Sequence, residues 1–222
     1  MPKAVIFDVD GTLVDTVAMH AQAWSDTFRR FGHDIPAEDI LGQIGKGGDQ
    51  LMPVFLDEAT VGAQGEAMET FRAEHYKERY LPEAKGFPAV RELFERIRAD
   101  GAAIALASSG KPEELEVYAD RLGIIGLFDA QTTSDDAERS KPEPDIFEAA
   151  LDRLGAPAPE DVVVVGDSPY DAQAARKAGI EVVGLLSGGF PEEELRAAGC
   201  SAVFRDPEDL LRRFEDSPLA RS

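Results

Sequence analysis

Ala4-Val5-Ile6-Phe7-Asp8-Val9-Asp10-Gly11-Thr12 is an apolar run that ends in two aspartates spaced two apart and then a glycine. The run reads as a buried β-strand. Side chains two apart on a strand project to the same face, so Asp8 and Asp10 meet where the strand stops. Two carboxylates held together repel unless a cation or a shared proton relieves them. The pair therefore predicts a divalent metal, a raised pKa on one acid, or both.

Similar short apolar runs recur at 103–107, 162–165 and 182–186, with helical patterns between them. From Pro88 onward, Val90, Leu93, Phe94 and Ile97 follow the i, i+3, i+4, i+7 spacing of a helix that Gly101 stops. Phe147, Ala150, Leu151 and Leu154 repeat that pattern up to Gly155. Strand, helix and strand in alternation, with continuous rather than alternating apolar runs, predict a doubly wound, Rossmann-like α/β fold with a parallel sheet covered on both faces. Sites in such sheets gather at the carboxyl ends of the strands, where Asp8, Ser108 and Asp167 all fall.

One stretch breaks the alternation. Residues 16–82 hold no convincing strand but do hold helical stripes, the clearest being Val17, Ala21, Trp24, Phe28 and Phe31. The expected organisation is a core of residues 1–15 and 83–222, with a helical cap domain of residues 16–82 inserted after the first strand. A cap in that position lies over the site, excludes water and supplies substrate contacts. The alternative is that these helices extend the core.

Composition bounds the partners. The 222 residues carry 43 acidic and 23 basic side chains, a formal charge of -20. Such a surface repels nucleic acid and anionic membranes, so neither is an expected partner. It also repels phosphorylated metabolites, and a site for them must bring its own cations. The single cysteine, Cys200, excludes an internal disulfide and reads as a small packing residue. With no basic segment followed by a long apolar stretch at the start, the expectation is a soluble cytoplasmic protein.

Three further segments carry chemistry. Ile104-Ala105-Leu106-Ala107-Ser108-Ser109-Gly110 ends a strand in hydroxyls and a glycine, which suits hydrogen bonding to a phosphoryl oxygen but also ordinary turn chemistry. Lys141 sits in the proline-pinned Ser140-Lys141-Pro142-Glu143-Pro144-Asp145, where an ammonium can be held rigidly or simply be solvated. Val162-Val163-Val164-Val165-Gly166-Asp167-Ser168-Pro169-Tyr170-Asp171 places Asp167 directly after a buried strand. There Asp167 or Ser168 is also a candidate N-cap for the helix that Pro169 starts.

Together these segments resemble the haloacid dehalogenase superfamily, in its order and spacing. The motifs are Asp8-x-Asp10-Gly11-Thr12, Ser108, Lys141 and Gly166-Asp167-x-x-x-Asp171. Asp10 points to the phosphatases and phosphomutases of that family, and the insertion resembles the helical cap of the phosphoglycolate phosphatase and β-phosphoglucomutase subgroup. Asp15-Thr16, His20 and Ala23-Trp24 look more like its mutase side.

The resemblance implies a Mg²⁺-dependent phosphomonoester hydrolase working on a small phosphorylated metabolite, a sugar phosphate or a phosphoglycolate-like acid. Asp8 would attack phosphorus and form an aspartyl-phosphate. Mg²⁺ would be held by Asp8, the backbone carbonyl of Asp10, and Asp167, with Asp171 either a further ligand through water or a partner that orients Lys141. Ser108 and Lys141 would stabilise the equatorial oxygens. Asp10 would act as general acid and then base, which calls for a pKa raised towards neutrality. Gly11, Thr12, Ser109 and Gly110 are the expected substrate contacts of the core. Lys46 and His20 are those of the cap, although His20 beside the Trp24 stripe also reads as a packed histidine. Lys77 and Arg79 are two further cap cations.

Two alternatives use the same parts. A phosphomutase returns the phosphoryl group to a sugar, but the family places an arginine near Ile44-Gly45-Lys46-Gly47-Gly48 and this chain has Lys46. A receiver-like phospho-switch has no acid two residues after its nucleophile and no helical insertion there, which sets Asp10 against it. The glycines around Lys46 lack phosphate-loop spacing and a Ser or Thr after the lysine, so nucleotide binding is not expected. His20, His33 and His75 have no zinc-ligand spacing. Gly188-Gly189-Phe190 is either a plain turn or an approach to the site.

Overall fold

A computed structural model describes residues 1–220, so the last two positions of the 83–222 segment lie outside the described residues. Six parallel strands form one sheet: β1 (Ala4–Phe7), β2 (Ala103–Ala107), β3 (Ala130–Thr132), β4 (Val162–Gly166), β5 (Glu181–Leu185) and β6 (Ala202–Phe204). Their order is β3-β2-β1-β4-β5-β6. The chain builds outward from β1 on one side, then crosses to β4 on the other. The order therefore reverses at β1, and crevices for ligands open at the carboxyl end of such a reversal.

The helices of the α/β part are α5 (Val90–Ala99), α6 (Pro112–Leu122), α7 (Asp145–Arg153), α8 (Pro169–Lys177), α9 (Glu192–Ala198) and α10 (Pro207–Arg212). Alternation along the strands divides the core. Val5, Phe7, Ile104, Leu106, Val163 and Val165 pack with Leu93, Phe94 and Ile97 of α5 and with Leu115 and Tyr118 of α6. Ile6, Ala105, Val162 and Val164 pack on the other face with Phe147 of α7, Ala175 of α8 and Cys200. The four valines of β4 thus serve both layers, which is why no polar residue interrupts them. Cys200 is a buried packing residue as expected, with its sulfur 2.9 Å from where a Cβ at Gly184 would stand.

Residues 17–79 contribute α1 (Val17–Arg30), α2 (Ala37–Ile40), α3 (Gly48–Phe55) and α4 (Glu58–Arg79). They carry a separate apolar cluster of Ala21, Trp24, Phe28, Ile40, Ile44, Leu51, Met52 and Met68. The chain leaves and re-enters the α/β part side by side: Asp15 N–H donates to Lys85 O at 2.8 Å and Phe87 N–H to Leu13 O at 2.9 Å.

β3 and β6 lie outside the strands expected from sequence. Each is a three-residue strand at a sheet edge. Such segments are too short to show a periodicity, and only sheet pairing defines them. The helix expected from Pro88 begins two residues later, at Val90, after Ala89 at φ 63°.

Candidate active site

Strand register brings the motifs to one level. Phe7 pairs with Leu106 on one side and Val165 on the other, so Asp8, Ser108 and Asp167 emerge together at the carboxyl edge. Ser168 Oγ caps α8 and accepts from Asp171 N–H, while Asp171 returns the capping box. Capping thus falls to Ser168, and Asp167 is free to turn inward.

Asp8, Asp167 and Asp171 are all buried, and one carboxylate oxygen from each lies within 4.8 Å of the others. Lys141 is 1% exposed and is the cation among them, donating from Nζ to Asp8 Oδ1 and standing 2.8 Å from Asp171 Oδ1. Thr12 Oγ1 donates to Asp167 Oδ1 at 2.7 Å and lies 3.2 Å from Asp8 Oδ2. Its hydroxyl is therefore engaged within the carboxylate cluster rather than turned to a substrate. Three carboxylates face one ammonium, which leaves two negative charges uncompensated. Burial pushes Asp8 up to about 7, opposed by Lys141 and assisted by Asp171 and Asp10. Burial and then the charges of Asp8 and Asp171 also raise Asp167 well above the usual carboxylate range. Lys141 is held charged because Asp171 and Asp8 outweigh its loss of solvent.

That imbalance suits a bound metal ion. The donors are all hard oxygens, as a small divalent cation prefers, and the excess charge has the size such an ion neutralises. Two glycines keep the space beside Asp167 open: a Cβ at Gly11 would fall 2.4 Å from its Oδ2, and one at Gly188 1.8 Å. Gly188 follows β5, so the glycine turn near Phe190 does approach the site. Its neighbour Ser187 fixes it there by donating from Oγ to Gly11 O at 2.6 Å.

Asp10 faces elsewhere. Oδ1 accepts from Thr16 Oγ1 at 2.7 Å and meets His20 Nε2 at 2.8 Å, and Oδ2 lies 3.4 Å from Ser108 Oγ. The expected rise of its pKa is not found. Burial favours such a rise, but His20, Thr16 and Arg72 outweigh it and hold the carboxyl at about 2. His20 is both packed and polar: its ring stacks on Tyr76 with centroids 4.0 Å apart, and Nδ1 lies 3.4 Å from Arg72 Nη1. Arg72 donating into Nδ1 puts the ring proton on Nε2, aimed at Asp10.

Above these groups opens a cavity of about 390 Å³ between the helical insertion and the sheet edge. Asp8, Asp10, Ser109, Gly110, His20 and Lys46 line it, but not Gly11 or Thr12. Lys46 Nζ donates to Gln43 Oε1 at 2.6 Å and lies 4.7 Å from the Tyr170 ring centroid, and partial burial lowers its pKa. Lys77 and Arg79 are exposed and lie off the cavity. The cation of α4 that reaches it is Arg72, 7% exposed, with Nη1 3.9 Å from Glu114 Oε1. A helical stripe of Met68, Arg72 and Tyr76 was the available signal for it. The insertion is tied to the Lys141 loop by Ser140, which accepts from Gly47 N–H at 2.9 Å and donates from Oγ to Asp49. That tie could not be read from residues 91 positions apart.

Residues 2–179 match the family model described as haloacid dehalogenase-like hydrolase. A phosphorylated carbohydrates phosphatase of Thermotoga maritima is 31% identical over 219 residues, spanning 96% of this chain and 99% of that protein. A phosphoglycolate phosphatase of Nitrosospira multiformis is 31% identical over 211 residues, spanning 90% of each. A solved structure of a hydrolase from Pseudomonas syringae superposes with a TM-score of 0.88 at 32% identity, covering 96% of this chain and 98% of that one.

Proposed function

We propose, since the chain belongs to the haloacid dehalogenase-like hydrolase family, that it is a Mg²⁺-dependent phosphatase of small phosphorylated metabolites that works through an aspartyl-phosphate on Asp8. The observation that carries this reading is the buried cluster of Asp8, Lys141, Asp167 and Asp171 beside Asp10, which reaches the cavity through Asp8 and Asp10.

In this reading residues 1–15 and 83–222 are the core and residues 16–82 a cap domain. Asp8 is the nucleophile, and its oxygens are poised by Lys141 and Thr12. Asp8, Asp167 and the backbone carbonyl of Asp10 would hold Mg²⁺, which when bound offsets the repulsion between carboxylate and phosphate dianion. Asp171 serves by orienting Lys141, to which it is directly paired. Ser108 and Ser109, together with Lys141, bind the phosphoryl oxygens, while the Gly110 N–H donates to Ser108 Oγ at 2.9 Å and holds that hydroxyl in place.

Asp10, ionised beside His20, is set as the base that takes a proton from water attacking the aspartyl-phosphate. To serve first as acid to the leaving alcohol Asp10 must take up a proton, which its contacts with Thr16 and His20 oppose. The cap excludes water from the first transfer. No helix among the described residues is long and apolar enough to cross a membrane, and the cytoplasm is the proposed location.

Phosphate release from a panel of phosphomonoesters, with Mg²⁺ and with EDTA, tests the reading. Turnover on at least one ester that vanishes in EDTA is the expected result. Metal-independent release, or conversion of a hexose 1-phosphate to its 6-phosphate with no free phosphate, would overturn it, the latter in favour of the mutase.

A further inference from the structure

Glu69 lies on α4, one helical turn before Arg72, and both line the cavity. The two side chains differ in what surrounds them. Arg72 meets Glu114 and His20 through Nη1, while its buried Nε has no partner. Among the described residues, the Glu69 carboxylate makes no hydrogen bond and no ion pair within 4 Å. Its surroundings are nevertheless built to hold it. A Cβ at Gly48 would fall 1.6 Å from Glu69 Oε1 and 2.9 Å from the Trp24 ring, so the glycine at the start of α3 leaves room for the carboxylate in this position beside the indole. Burial raises the Glu69 pKa against the charges of Arg72 and Lys111. A half-buried acceptor with no protein partner at this position is open to a donor from the ligand.

The rest of the wall narrows the choice. Asp49, Glu66 and Glu138 also line the cavity, and Lys111 is paired outward with Asp135 at 2.8 Å. Lys46, held by the neutral Gln43, is a donor of the cavity wall beside the unpartnered Arg72 Nε. A hydroxyl both donates and accepts, and so satisfies Glu69 and Lys46 together. A carboxylate only accepts, and would meet Glu69 with like charge. Trp24 offers an aromatic surface for the carbon face of such a group.

We infer that Glu69 is a specificity-determining residue, accepting hydrogen bonds from a neutral, hydroxyl-rich leaving group and turning away phosphate esters whose leaving group is a carboxylate. This rests on the phosphatase reading and narrows its substrate class.

The test compares kcat/KM for sorbitol 6-phosphate and glucose 6-phosphate with that for 2-phosphoglycolate. It uses the full chain in Mg²⁺, its Glu69→Gln and Glu69→Lys variants, and Asp8→Asn as the blank. The parent is expected to favour the sugar esters by about a hundredfold or more, since a site built for hydroxyls discriminates strongly against ligands that leave it unpaired. Glu69→Gln, nearly isosteric, should narrow the ratio about tenfold, partly by raising activity on 2-phosphoglycolate. Glu69→Lys should narrow it further. A ratio unmoved by both variants, or a parent that prefers 2-phosphoglycolate, overturns the inference while the phosphatase reading stands. Absence of Asp8-dependent release from every ester overturns the phosphatase reading itself, and this inference with it.

Discussion

Asp8→Asn is expected to lower phosphate release by about 10⁴-fold or more, the scale on which loss of an enzyme's nucleophile acts. Asparagine matches aspartate in shape, keeps an oxygen for Lys141 and turns its amide N–H to Thr12 Oγ1, which can accept, so the buried position stays filled and the loss is chemical rather than structural. The same change removes one of three buried carboxylates that share a single ammonium. The metal-free variant is therefore expected to unfold at the same temperature as the parent or higher, even though it is inactive. Activity assays and thermal melts in EDTA read the two effects separately. A variant that keeps more than a tenth of the activity would remove Asp8 from the chemistry, and one that fails to fold would show that its charge is structural.

Lys141→Met removes the opposite partner and has the opposite effect on stability. Lys141 is the counter-ion of Asp8 and Asp171 in a region without solvent, and taking away one partner of a buried pair costs about 3–5 kcal/mol. The sign of the pH dependence follows from the raised pKa of Asp8. A carboxyl with a raised folded pKa contributes most below its unfolded value near 3.8, and that contribution is lost as pH rises through about 7. Removing the lysine raises the folded pKa further. The stability deficit should thus be largest near pH 8 in EDTA and shrink towards pH 5, where the carboxyls take up protons. Turnover is expected to fall about 10³-fold, because the ammonium no longer neutralises the phosphoryl oxygens. Denaturant melts at the two pH values check the first part and phosphate release the second. Equal stability of variant and parent at pH 8 would contradict the electrostatic account of the cluster.

These expectations rest on positions that the sequence makes plain, and the reason is local. Asp8 and Asp167 each follow directly on a buried strand, so reading the strand also places the side chain at the sheet edge. Lys141 lies in a loop with no periodicity, and only the resemblance brought it to Asp8. Pairing of Asp8 with Lys141 spans 133 positions, a distance at which no local rule operates.

The cap shows the limit more sharply. The stripe from Val17 to Phe31 located α1, but which cations of α4 face the site depends on how α4 packs against α1, and this is a tertiary property. Lys77 and Arg79 were the cations expected on this helix and are exposed, whereas Arg72, not singled out from sequence, is the one that lines the cavity. Glu69 was one acid among 43 and became distinctive only when Gly48 and Trp24 were seen to make its place. Asp10 was expected near neutrality from its neighbouring carboxylate. His20 and Thr16, both in the first turns after the motif, decide its charge instead.

In the proposed mechanism Asp8 carries the phosphoryl group between substrate and water. Borohydride reduces an aspartyl-phosphate to homoserine, so enzyme turning over a phosphate ester in Mg²⁺ is quenched into borohydride, digested and read by mass spectrometry. The account predicts homoserine at position 8, dependent on substrate and metal and absent in EDTA. Robust turnover with an unmodified Asp8, or with the modification at another residue, would contradict it.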